Sequence, residues 1–136
     1  VLHSNDKKNL PRLTIFIKDM KEKWSLSIAI LDRITLALEE VFINIIDHGY
    51  KDQETHQIEI QATKTGERLT FMCKDDGVPF NPLEIPAPDI TKPLQEKEIG
   101  GLGILLIRRM IDKIDYRREN ETNILVLQIG IQEVAK

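Results

Sequence analysis

Three stretches of the 136-residue chain carry side chains whose types and spacing suit chemistry. The first is a polar row formed by Glu40, Asn44 and either Asp47 or His48. Residues three or four apart are neighbours on a helix surface. A carboxylate beside an amide offers oxygen ligands to a hard cation such as magnesium, which keeps several of its waters. Glu39 is a competing carboxylate, but it stands one residue off the row, so Glu40 is preferred. The second stretch is Asp75-Asp76-Gly77-Val78-Pro79-Phe80-Asn81-Pro82. An aspartate at a strand end can accept from an exocyclic amine, and Gly77, having no side chain, lets a ligand approach the backbone. The third is Ile99-Gly100-Gly101-Leu102-Gly103-Ile104. Glycines that open a helix expose amide donors beside its positive end, an arrangement suited to phosphate.

Taken singly, each stretch has an ordinary explanation: a solvated helix edge, an Asp-Gly turn, a flexible joint. The glycine spacing lacks the Lys-Ser/Thr of a P-loop. It also follows a loop rather than a strand, unlike a dinucleotide fingerprint. Only the order of all three is specific.

The elements that must position these residues can be read from periodicity. Leu10, Leu13, Ile17, Met20 and Trp24 lie on one helical face. Ser25 is the expected cap of a second helix running from about Leu26 to His48 and stopping at Gly49. Leu31, Ile34, Leu38, Val41, Phe42 and Ile45 form its apolar stripe, which the polar row borders. Ile58, Ile60 and Ala62 alternate as on a half-buried strand, and Leu69, Phe71 and Cys73 continue the alternation after a turn at Thr65-Gly66-Glu67-Arg68. That pattern makes Cys73 a small buried side chain rather than a nucleophile. From Asp75 to Gly103, five of the six prolines interrupt regular structure. A helix is expected to resume through Ile104, Leu105, Ile107, Met110, Ile111 and Ile114, followed by strands at 116–118 and 123–129 joined at Glu119-Asn120-Glu121. Helices, hairpin, loop, helix, hairpin predict an α+β, two-layer sandwich: a mixed, mostly antiparallel sheet covered on one face by helices.

Length fits a single domain over 1–136. The composition, 41% apolar and 30% charged, allows a core under a soluble surface. A net charge of -3 argues against nucleic-acid binding through bulk positive charge. One cysteine excludes an internal disulfide and a cysteine-based zinc site. No apolar run suits a bilayer span or a signal peptide, so the expected location is the cytoplasm.

With these motifs in this order, the chain resembles the histidine-kinase-like ATPase superfamily, which shares the Bergerat nucleotide-binding fold, and within it the anti-sigma-factor serine/threonine kinase branch. The residues that carry the likeness run from Leu38 to Tyr50, from Asp75 to Pro82 and from Gly100 to Asp112. The resemblance implies ATP and Mg²⁺ as cofactors. It implies that Asn44 holds the metal, that Glu40 is the general base, and that Asp75 and Gly77 receive adenine. It further implies an ATP lid at about 81–99, phosphate binding by Gly101 and Gly103, a supporting role for His48, and Thr122 near the adenine pocket. Pro79 stands where the wider family has a second glycine, and no phosphoacceptor helix pair is expected before the domain, since Leu10 to Trp24 reads as one short helix.

The implied function is a protein kinase that sequesters a sigma factor and phosphorylates an anti-sigma antagonist on serine or threonine. The implied partners are those two proteins, with no nucleic acid or membrane, and a homodimer by analogy. Two alternatives stand beside it: a non-catalytic ATP-dependent binding module, and the catalytic domain of a sensor histidine kinase.

Overall fold

The computed structural model describes residues 2–4, 10–49, 56–79, 81, 83 and 107–131. Strand β1 (Leu2–Ser4) leads into helices α1 (Leu10–Trp24) and α2 (Ile28–Gly49). Strands β2 (Gln57–Thr65) and β3 (Arg68–Asp75) form one hairpin, β4 (Lys113–Glu119) and β5 (Thr122–Gly130) another. The sheet order is β1-β2-β3-β5-β4, and every described pairing is antiparallel. The α+β class expected from the sequence is the class observed.

Helix α1 has the predicted bounds because its apolar residues keep helical spacing: Leu13, Ile17 and Met20 are buried. It closes with Leu26 N–H donating to Lys21 O at 3.2 Å across Ser25, whose φ is +51°. That is the 6→1 bond of a Schellman ending, with serine in the left-handed place that glycine usually fills. Ser25 therefore ends α1 and does not cap α2. The cap is Ser27, whose Oγ accepts from Ile30 N–H at 3.3 Å and whose carbonyl takes the first helical bond from Leu31.

The sheet buries one face against the helices. Along β3, Leu69, Phe71, Cys73 and Asp75 are buried while the alternate residues are more exposed. Their cross-strand partners on β5, Ile129, Leu127, Leu125 and Asn123, are buried as well. With Ile34, Leu38, Val41 and Phe42 of α2, the apolar members form one core cluster. A Phe-to-Ala change in such a core costs about 3–5 kcal/mol, so Phe42 and Phe71 alone carry a large share of a small domain's stability.

Two further features depart from the sequence expectation. Strand β1 is too short to show a period, and only its pairing with 57–59 defines it. The helix after the glycines ends at 110, not at Ile114, which lies on β4 opposite Leu127. Arg33 of α2 causes this stop to be well made: its Nε and Nη2 both donate to Met110 O, at 3.0 and 2.7 Å. Asp112 then receives Gly130 N–H on Oδ2 at 2.6 Å, and the chain enters β4.

The β4–β5 hairpin turns on Asn120 and Glu121, both at positive φ (+49° and +62°). Two left-handed residues in a two-residue loop is the type I′ pattern, in which glycine suits the second position. Replacing Glu121→Gly is expected to stabilise the fold by about 0.5–1 kcal/mol, because a Cβ is disfavoured there. Urea denaturation followed by circular dichroism checks it; an unchanged or lower midpoint refutes the strain.

Candidate functional site

Helix α2 brings an amide into the protein interior. Asn44 is 6% exposed on a helix whose Val41, Phe42 and Ile45 are buried too, and its Nδ2 has no hydrogen-bond partner among the described residues. An amide N–H left unpaired in the interior costs about 1–3 kcal/mol; as a donor it calls for an acceptor such as a phosphate oxygen, while the amide oxygen is the atom a cation would take. Glu40, one turn earlier, is half-buried and on the same face. Glu39 is equally half-buried, so exposure does not choose between the two; the four-residue spacing does. Asp47 is exposed. An amide oxygen with a carboxylate nearby is a donor set that suits Mg²⁺, whose remaining positions go to water and phosphate. Among the described residues no group of three His, Cys, Asp or Glu forms a metal cluster.

The second part of the site is the end of β3. Asp75 is 7% exposed, and its Oδ1 accepts Gly77 N–H at 2.9 Å and Asn123 Nδ2 at 3.0 Å. Burial pushes its carboxyl above the ordinary 3.8, and the charge of Asp76 adds to the rise; the bonds from Asn123 and Gly77 and the charge of Arg118 oppose it. Gly77 is buried, and its carbonyl accepts Arg118 Nη1 at 3.0 Å. Asn123 Nδ2 also reaches Val78 O at 2.8 Å. Two residues away, Cys73 is 1% exposed and its thiol is pushed up to about 12, chiefly by burial, so it is no nucleophile.

Asn123, Tyr116 and Arg118 are the residues that sequence reasoning missed. Tyr116 OH and Arg118 Nη1 donate to Asn123 Oδ1 at 2.5 and 2.9 Å. A signal was available: with Leu125, Leu127 and Ile129 facing inward, the period of two puts Asn123 inward and Thr122 outward. Thr122 Oγ1 donates to Asn120 O at 3.4 Å. It shares with Asp75, Asp76, His56, Gln57, Glu59 and Lys74 the wall of a cavity of about 430 Å³. Thr122 thus lies beside the Asp75 turn, but the side chain bonded to the carboxylate is that of Asn123.

Gly101 and Gly103 fall outside the described residues, as does the side chain of His48. Of the lid segment 81–99, only 81 and 83 are described. Arg108 Nη2 donates to Leu83 O at 2.6 Å, which ties the helix after the glycines to the start of that segment. No described helix is long and apolar enough to cross a membrane.

Over residues 3–129 the chain matches the family model of the histidine kinase-like ATPase domain. It is similar to the serine/threonine-protein kinase BtrW of Bordetella bronchiseptica, 23% identical over 108 residues that cover 79% of this chain and 75% of that protein. It is similar also to the serine-protein kinase RsbW of Bacillus cereus, 30% identical over 100 residues that cover 71% of this chain and 62% of that protein. The match thus spans less than two thirds of RsbW. Among solved structures, the histidine kinase domain of a blue-light activated histidine kinase from Erythrobacter litoralis gives a TM-score of 0.55 at 16% identity, covering 90% of this chain and 59% of that one. The Acinetobacter baumannii histidine kinase AdeS gives 0.53 at 14%, covering 98% and 68%. At these identities the likeness is one of fold.

The raised Asp75 carboxyl has a consequence for stability. The folded state holds its proton more tightly than the unfolded chain, so its contribution is full below 3.8 and is lost as pH rises through the folded value. Asparagine keeps an acceptor for Gly77 and Asn123 without the charge. Asp75→Asn is therefore expected to gain stability relative to wild type between about pH 3 and about pH 7. Urea titrations at the two pH values measure it; a difference that shrinks or reverses on raising the pH refutes the burial effect.

Proposed function

The chain belongs to the histidine kinase-like ATPase domain family, and from that premise we propose that it is an ATP-dependent protein serine/threonine kinase of the anti-sigma type. In this reading it sequesters a sigma factor and phosphorylates an antagonist of that sequestration. The kinase names of its relatives support the reaction class. The observation that carries the reading is the buried amide of Asn44, its Nδ2 unpaired among the described residues and so open to a phosphate oxygen, one helical turn from the half-buried Glu40.

The residues divide the work. Asp75 accepts the adenine amino group, and Gly77 leaves the backbone open to the base. Asn44 holds Mg²⁺ through its amide oxygen, and the ion, when bound, offsets the charge of the phosphates. Gly101 and Gly103 supply amide donors to the phosphates, and His48 supports the site. Glu40 takes the proton of a serine or threonine hydroxyl on the partner. That oxygen bonds to the γ-phosphorus, the bond from the γ-phosphorus to the bridging oxygen breaks, and ADP leaves. Phosphoryl transfer is mostly positioning and charge stabilisation, so this short set of groups suffices.

Two measurements test the assignment. In calorimetric titrations with Mg-ATP, Asn44→Ala should bind about ten-fold or more weakly than wild type; equal affinity removes Asn44 from the metal site. In transfer of γ-phosphate from ATP to a cognate antagonist protein, Glu40→Gln should keep ATP affinity and lose about a hundred-fold or more in rate. ATP binding by wild type with no transfer to the antagonist removes the kinase reading.

A further inference from the structure

The antiparallel register places Asn123 of β5 directly opposite Asp75 on one side and Arg118 on the other. Its amide has donors at one end and acceptors at the other. Tyr116 OH and Arg118 Nη1 bond to Oδ1, at 2.5 and 2.9 Å. Nδ2 faces Asp75 Oδ1 at 3.0 Å and Val78 O at 2.8 Å. A guanidinium only donates, and an ionised carboxylate and a carbonyl only accept. Turning the amide over would set like against like at both ends, in a place where Asn123 is 4% exposed. The orientation is therefore locked.

That lock is passed to Asp75. Among the described residues two hydrogen bonds reach the carboxylate, from Asn123 Nδ2 and Gly77 N–H, and both end on Oδ1. Oδ2 is the oxygen left to a ligand, and the plane of the carboxylate is held from two sides. A group held this way accepts from an exocyclic amine. It opposes a ring oxo group, because two acceptors would then face each other away from water.

We propose that Asn123, braced by Tyr116 and Arg118, is a positioning residue that sets base specificity by aiming Asp75 Oδ2 at the 6-amino group of a purine nucleotide and against 6-oxo purines. The proposal rests on the reading of Asp75 as the acceptor of a nucleobase. The three bracing residues need not touch the ligand. They act through the carboxylate.

The test compares dissociation constants of the full chain for ATP, for purine riboside 5′-triphosphate, which lacks the amine, and for inosine 5′-triphosphate. Wild type is expected to prefer ATP over the desamino nucleotide by about ten-fold or more, and to bind the 6-oxo nucleotide more weakly still. Asn123→Ala should lose most of the preference for ATP while its affinity for the desamino nucleotide changes by less than about two-fold. Tyr116→Phe, which removes one hydroxyl and keeps the ring, should lose about a third to a half of the preference on a logarithmic scale. A folded Asn123→Ala that keeps the wild-type preference, or that weakens both nucleotides alike, overturns the proposal. If Asn123→Ala does not fold, an unchanged preference in Tyr116→Phe overturns it. Wild type that binds ATP and the desamino nucleotide equally well would instead remove Asp75 from base recognition, and the proposal with it. Failure to bind any nucleotide would remove the ATP reading.

Discussion

A carboxylate shut away from water must be given hydrogen-bond donors, and that requirement at Asp75 organises one end of the domain. The residue closes β3 on the face that packs against the helices. Its donors come from the turn it begins, through Gly77, and from the neighbouring strand, through Asn123. Asn123 in turn needs donors for its own oxygen, and β4 supplies them through Tyr116 and Arg118. Arg118 then returns to the turn by holding the Gly77 carbonyl. The loop is closed: three strands and a turn are satisfied by one another, and none of these groups can shift without leaving another unpaired. A network this complete rigidifies the place where it stands.

Helix α2 combines two demands that ordinarily conflict. Its stripe from Ile30 to Ile45 is core, and it carries the largest buried side chain of the helix, Phe42. Within that stripe sits Asn44, polar and, among the described residues, unpaired at Nδ2. A leucine there would pack with less cost. The helix is anchored elsewhere to offset it, by the Ser27 cap at its start and by the Arg33 contacts with Met110. Those contacts also join α2 to the segment after the glycines.

Much of this was legible beforehand, and the parts that were not share a cause. Helix α1, both hairpins and the inward residues of β2 and β3 follow from periodicity, because burial repeats with the period of the element. The sequence favours Ser25 as the cap of α2 where the structure has Ser27: two serines two residues apart are equivalent until Lys21 O is seen bonded to Leu26. The expected third helix runs on to Ile114, since an apolar residue fits a helix stripe and a strand equally well. Asn123 opens the expected strand 123–129, and nothing local marks it as the partner of Asp75.

Residue types and their spacing were enough, alone, to determine which groups are available for chemistry, in what order they occur and that a two-layer α+β fold must present them. They determine this because side-chain period and local backbone preference are properties of neighbouring residues. What only the tertiary structure decided is which groups meet. Asp75 and Asn123 are 48 residues apart in the chain and face each other through the pairing of β3 with β5. A register different by one residue would have turned Thr122 inward instead. Partners of this kind are chosen by strand pairing across the sheet, which no local pattern encodes.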